Sequence, residues 1–271
     1  NGTDALFISL MALGIGPGDE VITPSFTWVS TVEAIRLVGA KPVFIEVRPE
    51  TFNINEDDIK KTITSRTKVI MPVSIFGRCP DLNMIKNLPE VKKHNIKILE
   101  DAAQSFGAKS SGLMSCSIAD ISTTSFFPAK PLGCYGDGGA IFTNDQELFE
   151  KASMISKHGQ KGRYNYKTVG VNSRLDTIQA AVLISKLDFF EKEISMRNKV
   201  AKHYNDFLSS SNLITIPLIP DKENRSVWAQ YTLILSDDVY KKRDDIMAKM
   251  QECYIPTALY YPAALHLQKP Y

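Results

Sequence analysis

The sequence predicts an α/β fold, with a mostly parallel sheet covered by helices in a large domain and a smaller α+β domain behind it. Three observations predict it. Over the first two thirds, short β-branched runs alternate with amphipathic stretches at helical spacing. Past Gly107 this alternation gives way to two strand-like runs joined by a loop rich in Gly and Pro. At 271 residues, the chain is also long enough for one large unit plus a small one.

Thr3-Asp4 can cap a first helix through Leu6, Ile8, Leu10 and Met11, which Gly14 and Gly16-Pro17-Gly18 close. Val21-Ile22 reads as a short strand, residues 29–38 as a helix, and 42–47 as a strand. Asn55-Glu56-Asp57-Asp58 opens another helix, its acidic residues lying near the positive helix N-terminus. Residues 68–73 form a buried strand, 81–93 a helix and 96–101 a strand. Two further strands are expected at 121–127 and 139–143, and a helix at 146–156. The longest helical pattern spans 175–208, followed by a strand at 227–235 and a helix at 239–252. The expected division is a large domain over 1–190 and a small one over 191–271.

Composition removes several functional classes. With 32 Lys plus Arg against 30 Asp plus Glu, the net charge is +2, and no basic tract invites nucleic acid. The four cysteines (Cys79, Cys116, Cys134 and Cys253) form no Cys-x-x-Cys pair and sit near no histidine cluster. That pattern argues for a reduced, cytoplasmic protein without a structural metal. No run approaches the roughly 20 apolar residues of a membrane span, and no signal peptide is legible. The chain opens at Asn1 without an initiator methionine and stops at Tyr271 after an aromatic-rich stretch. Both ends read as cut, so most of a longer protein is expected.

In open parallel sheets, ligands bind beyond the carboxyl ends of the strands. Asp101 lies at such an end before Ala-Ala-Gln-Ser-Phe-Gly, where it can face a ligand or simply cap a turn. Lys130 lies between Pro128 and Pro131, behind Phe126-Phe127, so no regular helix can hold it. A rigid, partly apolar loop can bring an amine from about 10.4 toward neutrality, as a nucleophilic lysine requires. The alternative is a solvated loop lysine. The helix start at Asn1-Gly2-Thr3-Asp4 could hold a phosphate, and Ser125 could donate to the same group. Trp28, opening a helix after a strand, could present a flat face to an aromatic ligand or belong to the core. No Gly-x-Gly-x-x-Gly follows an early strand, which argues against a nicotinamide enzyme.

The joint order of these signals carries more than each alone. Six blocks resemble the DegT/StrS-type nucleotide-sugar aminotransferases from one end of the chain to the other. They are Asn1-Gly2-Thr3-Asp4-Ala5-Leu6, the run from Gly18 to Trp28, Glu100-Asp101-Ala102-Ala103-Gln104, Ser125 to Lys130, Gly136-Asp137-Gly138-Gly139-Ala140, and Gly170 to Asp176. The resemblance implies the fold type I architecture of pyridoxal-phosphate-dependent transferases, with a seven-stranded-type sheet and active sites shared across a homodimer.

By position, the resemblance implies that Lys130 binds pyridoxal 5′-phosphate as a Schiff base and shuttles a proton. Asp101 would pair with the pyridine nitrogen, Trp28 stack on the ring, and Gln104 lie near the ring hydroxyl or the opposite face. Gly2, Thr3 and Ser125 would hold the phosphate, with Asn172 reaching it from the partner subunit. Related dehydratases carry histidine where this chain has Lys130, so lysine favours transamination, with an amino acid, usually glutamate, as donor.

For the sugar, Leu259-Tyr260-Tyr261-Pro262 departs from the commoner His-Tyr-Pro. Together with Leu265-His266-Leu267-Gln268 and the Phe126 to Gly139 run, it resembles the subgroup acting on UDP-linked 3-keto hexuronic acids for bacterial surface polysaccharides. Arg174 is then a candidate for the uronate carboxylate or the diphosphate, or for an intersubunit salt bridge. Tyr260, Tyr261 and His266 are candidates for the sugar pocket and His158 for the cofactor's surroundings, against plain core or capping roles for both histidines. Two other readings stay open: a 4-keto-6-deoxy sugar 4-aminotransferase, and a non-catalytic regulator that binds the cofactor without turnover.

Overall fold

The computed structural model describes all residues 1–271. The chain begins with α1 (Gly2–Ala12), β1 (Glu20–Pro24), α2 (Val29–Leu37), β2 (Lys41–Ile45), α3 (Glu56–Thr62) and β3 (Thr67–Ile70). There follow α4 (Leu82–Asn87), α5 (Pro89–Lys93), β4 (Lys97–Asp101) and a small hairpin of β5 (Lys109–Ser110) and β6 (Leu113–Met114). Then come β7 (Ile121–Ser125), β8 (Gly139–Phe142), α6 (Gln146–Ile155) and the β9 (Gln160–Gly162) and β10 (Asn165–Tyr166) pair. The tail holds α7 (Thr177–Leu208), β11 (Ile214–Thr215), β12 (Ile234–Leu235) and α8 (Arg243–Glu252).

The central sheet has order β2-β1-β3-β4-β7-β8. All neighbours run parallel except β7 and β8. It is therefore six-stranded, not the seven-stranded sheet the resemblance implied. The remaining strands pair off locally into two-stranded units. Successive strand residues face opposite sides, which explains the unbroken apolar runs. Val21, Val69 and Leu99 pack with Leu6, Leu10 and Ile35 from α1 and α2 on one face. Their neighbours Ile22, Ile70 and Ile98 pack with Ile59, Leu82 and Ile85 from α3 and α4 on the other.

Several expected boundaries move for identifiable reasons. The helix expected over 81–93 is two helices, because Pro89 cannot continue α4 and instead starts α5 at its first position. The strand expected over 227–235 shrinks to β12. Trp228 adopts a left-handed φ of 48°. Ser226 and Val227 are hydrogen-bonded to the Gly77 carbonyl instead of a strand partner. The division expected at 190/191 falls inside α7, a continuous helix of 32 residues. One face of α7 packs Leu183, Phe190 and Ile194 against Phe126, Leu132 and Val227.

Candidate active site

Sheet order decides the site. Because β4 and β7 are neighbours with Asp101 opposite Thr123, the loops leaving their carboxyl ends meet. There a cavity of about 680 Å³ opens, lined by Asp101, Gln104, Ser125, Lys130, Gly2, Thr3, Trp28, Tyr260 and Tyr261 among others. That volume suits a cofactor with a substrate part.

Asp101 is 4% exposed, and burial pushes its carboxyl above the ordinary range. Opposing that shift, Thr31 donates its hydroxyl to Oδ2 at 2.8 Å and the Ala103 amide donates to Oδ1 at 3.2 Å. Thr31 is also hydrogen-bonded to Thr27, its hydroxyl 2.9 Å away, so α2 holds the carboxylate by a short relay. On the loop after β7, burial pulls the Lys130 amine below its ordinary value, partly offset by the charge of Asp101. A cavity with a desolvated amine and a buried carboxylate short of a cation is chemically poised for a cationic ring and a carbonyl carbon.

The opposite wall is the start of α1. Asn1 caps it by accepting from the Asp4 amide at 2.9 Å, which leaves the Gly2 and Thr3 amides without intrahelical acceptors. A Cβ on Gly2 would stand 2.8 Å from the Ser125 Cβ, so glycine is what lets the Ser125 hydroxyl sit beside those amides. Thr3 and Ser30 share a hydroxyl hydrogen bond at 2.8 Å, joining α1 to the start of α2, where Trp28 is 58% exposed beside the cavity. Gln104 accepts from the Phe76 amide at 2.6 Å. Tyr261 lies near Gln104, its phenol pushed up by burial and by Asp101, and packs edge-on against Phe26.

Four expected site residues do not reach this cavity. Asn172 is exposed and accepts from Arg174 Nε at 3.0 Å, on a loop tied to α1 through Ser173 and Asp4. Arg174 and His158 line a separate open depression beside α6, so His158 is not near the cofactor cavity of its own chain. His266 packs on Phe44 and is exposed, outside the lining of this cavity. In its place, the tail segment contributes only Tyr260 and Tyr261. Thr27, Thr31, Asp137 and Gln230 enter the site without having been singled out. Thr31 and Gln230 carry no local signal, since a helix threonine and a glutamine in an apolar run are unremarkable until the chain folds.

A family profile matches residues 1–271, described as DegT/DnrJ/EryC1/StrS aminotransferase family. The chain belongs to this family. It is 50% identical over 268 residues to the UDP-2-acetamido-2-deoxy-3-oxo-D-glucuronate aminotransferase of Pseudomonas aeruginosa, covering 99% of this chain and 72% of that protein. It is 42% identical over 270 residues to a pleiotropic regulatory protein of Geobacillus stearothermophilus, covering 99% and 70%. Among solved structures, NtdA of Bacillus subtilis with bound cofactor PMP superposes with a TM-score of 0.89 at 33% identity, covering 99% of this chain and 60% of that one. This DegT/DnrJ/EryC1/StrS member is a pyridoxal-phosphate-dependent sugar aminotransferase, and its cofactor is pyridoxal 5′-phosphate. No helix is long and apolar enough to cross a membrane, and no cluster of ligating side chains could hold a metal.

Proposed function

We propose that the chain aminates C3 of a UDP-linked 2-acetamido-3-keto hexuronic acid, taking the amino group from glutamate, for a bacterial surface polysaccharide. The observation that carries this reading is the meeting of Lys130 and Asp101 in one cavity, where burial draws the Lys130 amine toward its neutral, nucleophilic form and leaves the buried Asp101 carboxyl in want of a cationic partner. The likeness to the P. aeruginosa enzyme favours the 3-keto uronate over a 4-keto-6-deoxy sugar.

The residues fit the cofactor. Asp101 is a buried carboxylate with two neutral donors and room for a cation beyond them, as a protonated pyridine nitrogen requires. The Gly2 and Thr3 amides with the Ser125 hydroxyl would hold its phosphate, and Trp28 and Gln104 would flank its ring. When bound, the cofactor supplies an electron sink that lets a proton leave the carbon bearing the amino group.

The chain's own part is then definite. Lys130 Nζ would be the nucleophile that holds the cofactor. Its neutral amine would then take up at Nζ the proton leaving the amino-donor carbon and hand it back within the site, and would act in the opposite direction when the sugar is aminated. Burial favours that neutral form. Asp101 keeps the ring nitrogen protonated. Tyr260 and Tyr261 wall the sugar side and exclude water. Over one cycle, glutamate and the 3-keto sugar become 2-oxoglutarate and the 3-amino sugar. Asn172 and Arg174, both exposed on their own chain, would serve a second protomer's site in a cytoplasmic homodimer.

Borohydride reduction of the holoenzyme followed by peptide mass spectrometry should find the cofactor on Lys130, and Lys130→Ala should lose it. Cofactor mass on another lysine sinks the assignment. Turnover of the UDP-linked 3-keto uronate should exceed that of a UDP-4-keto-6-deoxy sugar, and the reverse order moves the reading to C4. The regulator reading, which the G. stearothermophilus likeness keeps in view, predicts no bleaching of the visible band by any amino acid.

A further inference from the structure

Gln230 lines the cavity that holds Lys130 and Asp101, yet its Oε1 is buried and meets no hydrogen-bond partner. The other buried side-chain atoms without partners, the hydroxyls of Ser9 and Ser236, do not line this cavity. Gln230 also borders a small cleft beside Phe52 and Arg78. An orphaned buried amide is costly and uncommon, however, and one on the wall of the Lys130 cavity marks a place where a ligand group can enter.

The segment around Gln230 is pinned on both sides. Ser226 Oγ donates to the Gly77 carbonyl at 3.0 Å, and Trp228 Nε1 donates to Asn198 Oδ1 at 3.1 Å. Arg197 donates to the Trp228 carbonyl at 3.4 Å, and the Tyr231 hydroxyl donates to Asn205 Oδ1 at 2.8 Å. The fit against the neighbouring turn is so close that a Cβ on Gly77 would stand 2.7 Å from the Trp228 nitrogen. Ser226, Trp228 and Tyr231 are committed to the scaffold while the Gln230 side-chain amide makes no hydrogen bond, which is how a rigid element presents a recognition group.

We infer that Gln230 selects the keto sugar by hydrogen-bonding its one remaining ring hydroxyl, at C4, a role that rests on the sugar reading above. The chemistry points to the sugar and not to glutamate. Glutamate's carboxylates can accept from Nε2 but have no proton for Oε1, and its amino group is committed to the reaction at the cofactor. A sugar hydroxyl donates to Oε1 and accepts from Nε2 of the same amide. Sites that hydrogen-bond a substrate hydroxyl discriminate strongly because the protein group is stranded when that hydroxyl is missing.

The test separates the two half-reactions of the holoenzyme through the cofactor's visible band. For Gln230→Leu, kcat/KM in the sugar half-reaction should fall about 10- to 100-fold. The fall in the glutamate half-reaction should be at least about tenfold smaller. Binding of UDP-N-acetylglucosaminuronic acid, measured by calorimetry, should weaken in step with the sugar half. Should the leucine variant fail to fold, Gln230→Met reads the same difference. Equal losses in both half-reactions, or no loss, overturn the role of Gln230 alone. A wild type that bleaches with glutamate but neither binds nor aminates the UDP-uronate overturns the sugar reading, and this role with it.

Discussion

Thr31 donates its hydroxyl hydrogen to Oδ2 of Asp101 at 2.8 Å across 70 residues of sequence, so the first turn of α2 positions the carboxylate at the end of β4. Hydrogen bonds to charged groups are worth about 1.5–3 kcal/mol. Thr31→Val keeps the shape and removes the donor. Cofactor affinity should fall about 10- to 100-fold by that measure, read by fluorescence titration of the apoprotein. A dissociation constant equal to wild type would mean that Thr31 serves packing alone.

Asp101→Asn should separate stability from activity. In the folded apoprotein, burial raises the Asp101 pKa above its ordinary 3.8, so the folded state holds this proton more tightly than the unfolded chain. Stability associated with that proton is complete below 3.8 and is lost as pH rises through the raised folded value. Asparagine has nothing to lose there. At neutral pH the apo variant should match or exceed wild type by about 1 kcal/mol in urea unfolding, with the difference vanishing in acid. Turnover should drop by about 100- to 1000-fold. A variant less stable at neutral pH than in acid, relative to wild type, would contradict the sign.

Gly2→Ala introduces a methyl 2.8 Å from the Ser125 Cβ, so α1 must retreat from β7. Overpacking of this kind costs about 1–3 kcal/mol. Both thermal stability and cofactor affinity should suffer, since the displaced amides are the ones facing the cavity. Combining it with Ser125→Gly should recover stability but not affinity, because the hydroxyl is gone. A double variant that regains full affinity would remove Ser125 from the phosphate site.

Glu100, fully buried beside Asp101, accepts from Ser74, Ser115, Ser122 and the Cys116 amide at 2.7–3.2 Å without a cation. This network ties the segment after β6 to the back of β4. Glu100→Gln sets an amide N–H against those donors and should cost about 2–3 kcal/mol in chemical unfolding. An unchanged midpoint would show that the network is dispensable.

Local pattern made much of the architecture legible. Strands β1 to β4, β7 and β8 and helices α2, α6 and α7 lie within a few residues of where alternation and helical spacing place them, because a buried strand or amphipathic helix writes its period into its own residues. It failed where the deciding contact is remote. The 227–235 run looks like a strand, but its first half is bound to Gly77 and α7. His266 sits in the tail segment that resembles the sugar-binding one, but it packs on Phe44.

The same division holds for the site. By itself, the sequence determined the chemical alphabet: a lysine trapped between prolines, an aspartate at a strand end, a glycine opening a capped helix. Family order then made sense of their combination. Only the tertiary structure decided that they meet, through the pairing of β4 with β7 and the packing of α1 on Ser125. It also supplied Thr31 and Gln230, whose roles rest on one hydrogen bond made and one left open. The physical reason is that burial and electrostatic partnership are properties of neighbours in space. A lysine's proton affinity depends on what surrounds its amine, and no residue within reach in sequence surrounds Lys130 as Asp101 and the cavity walls do.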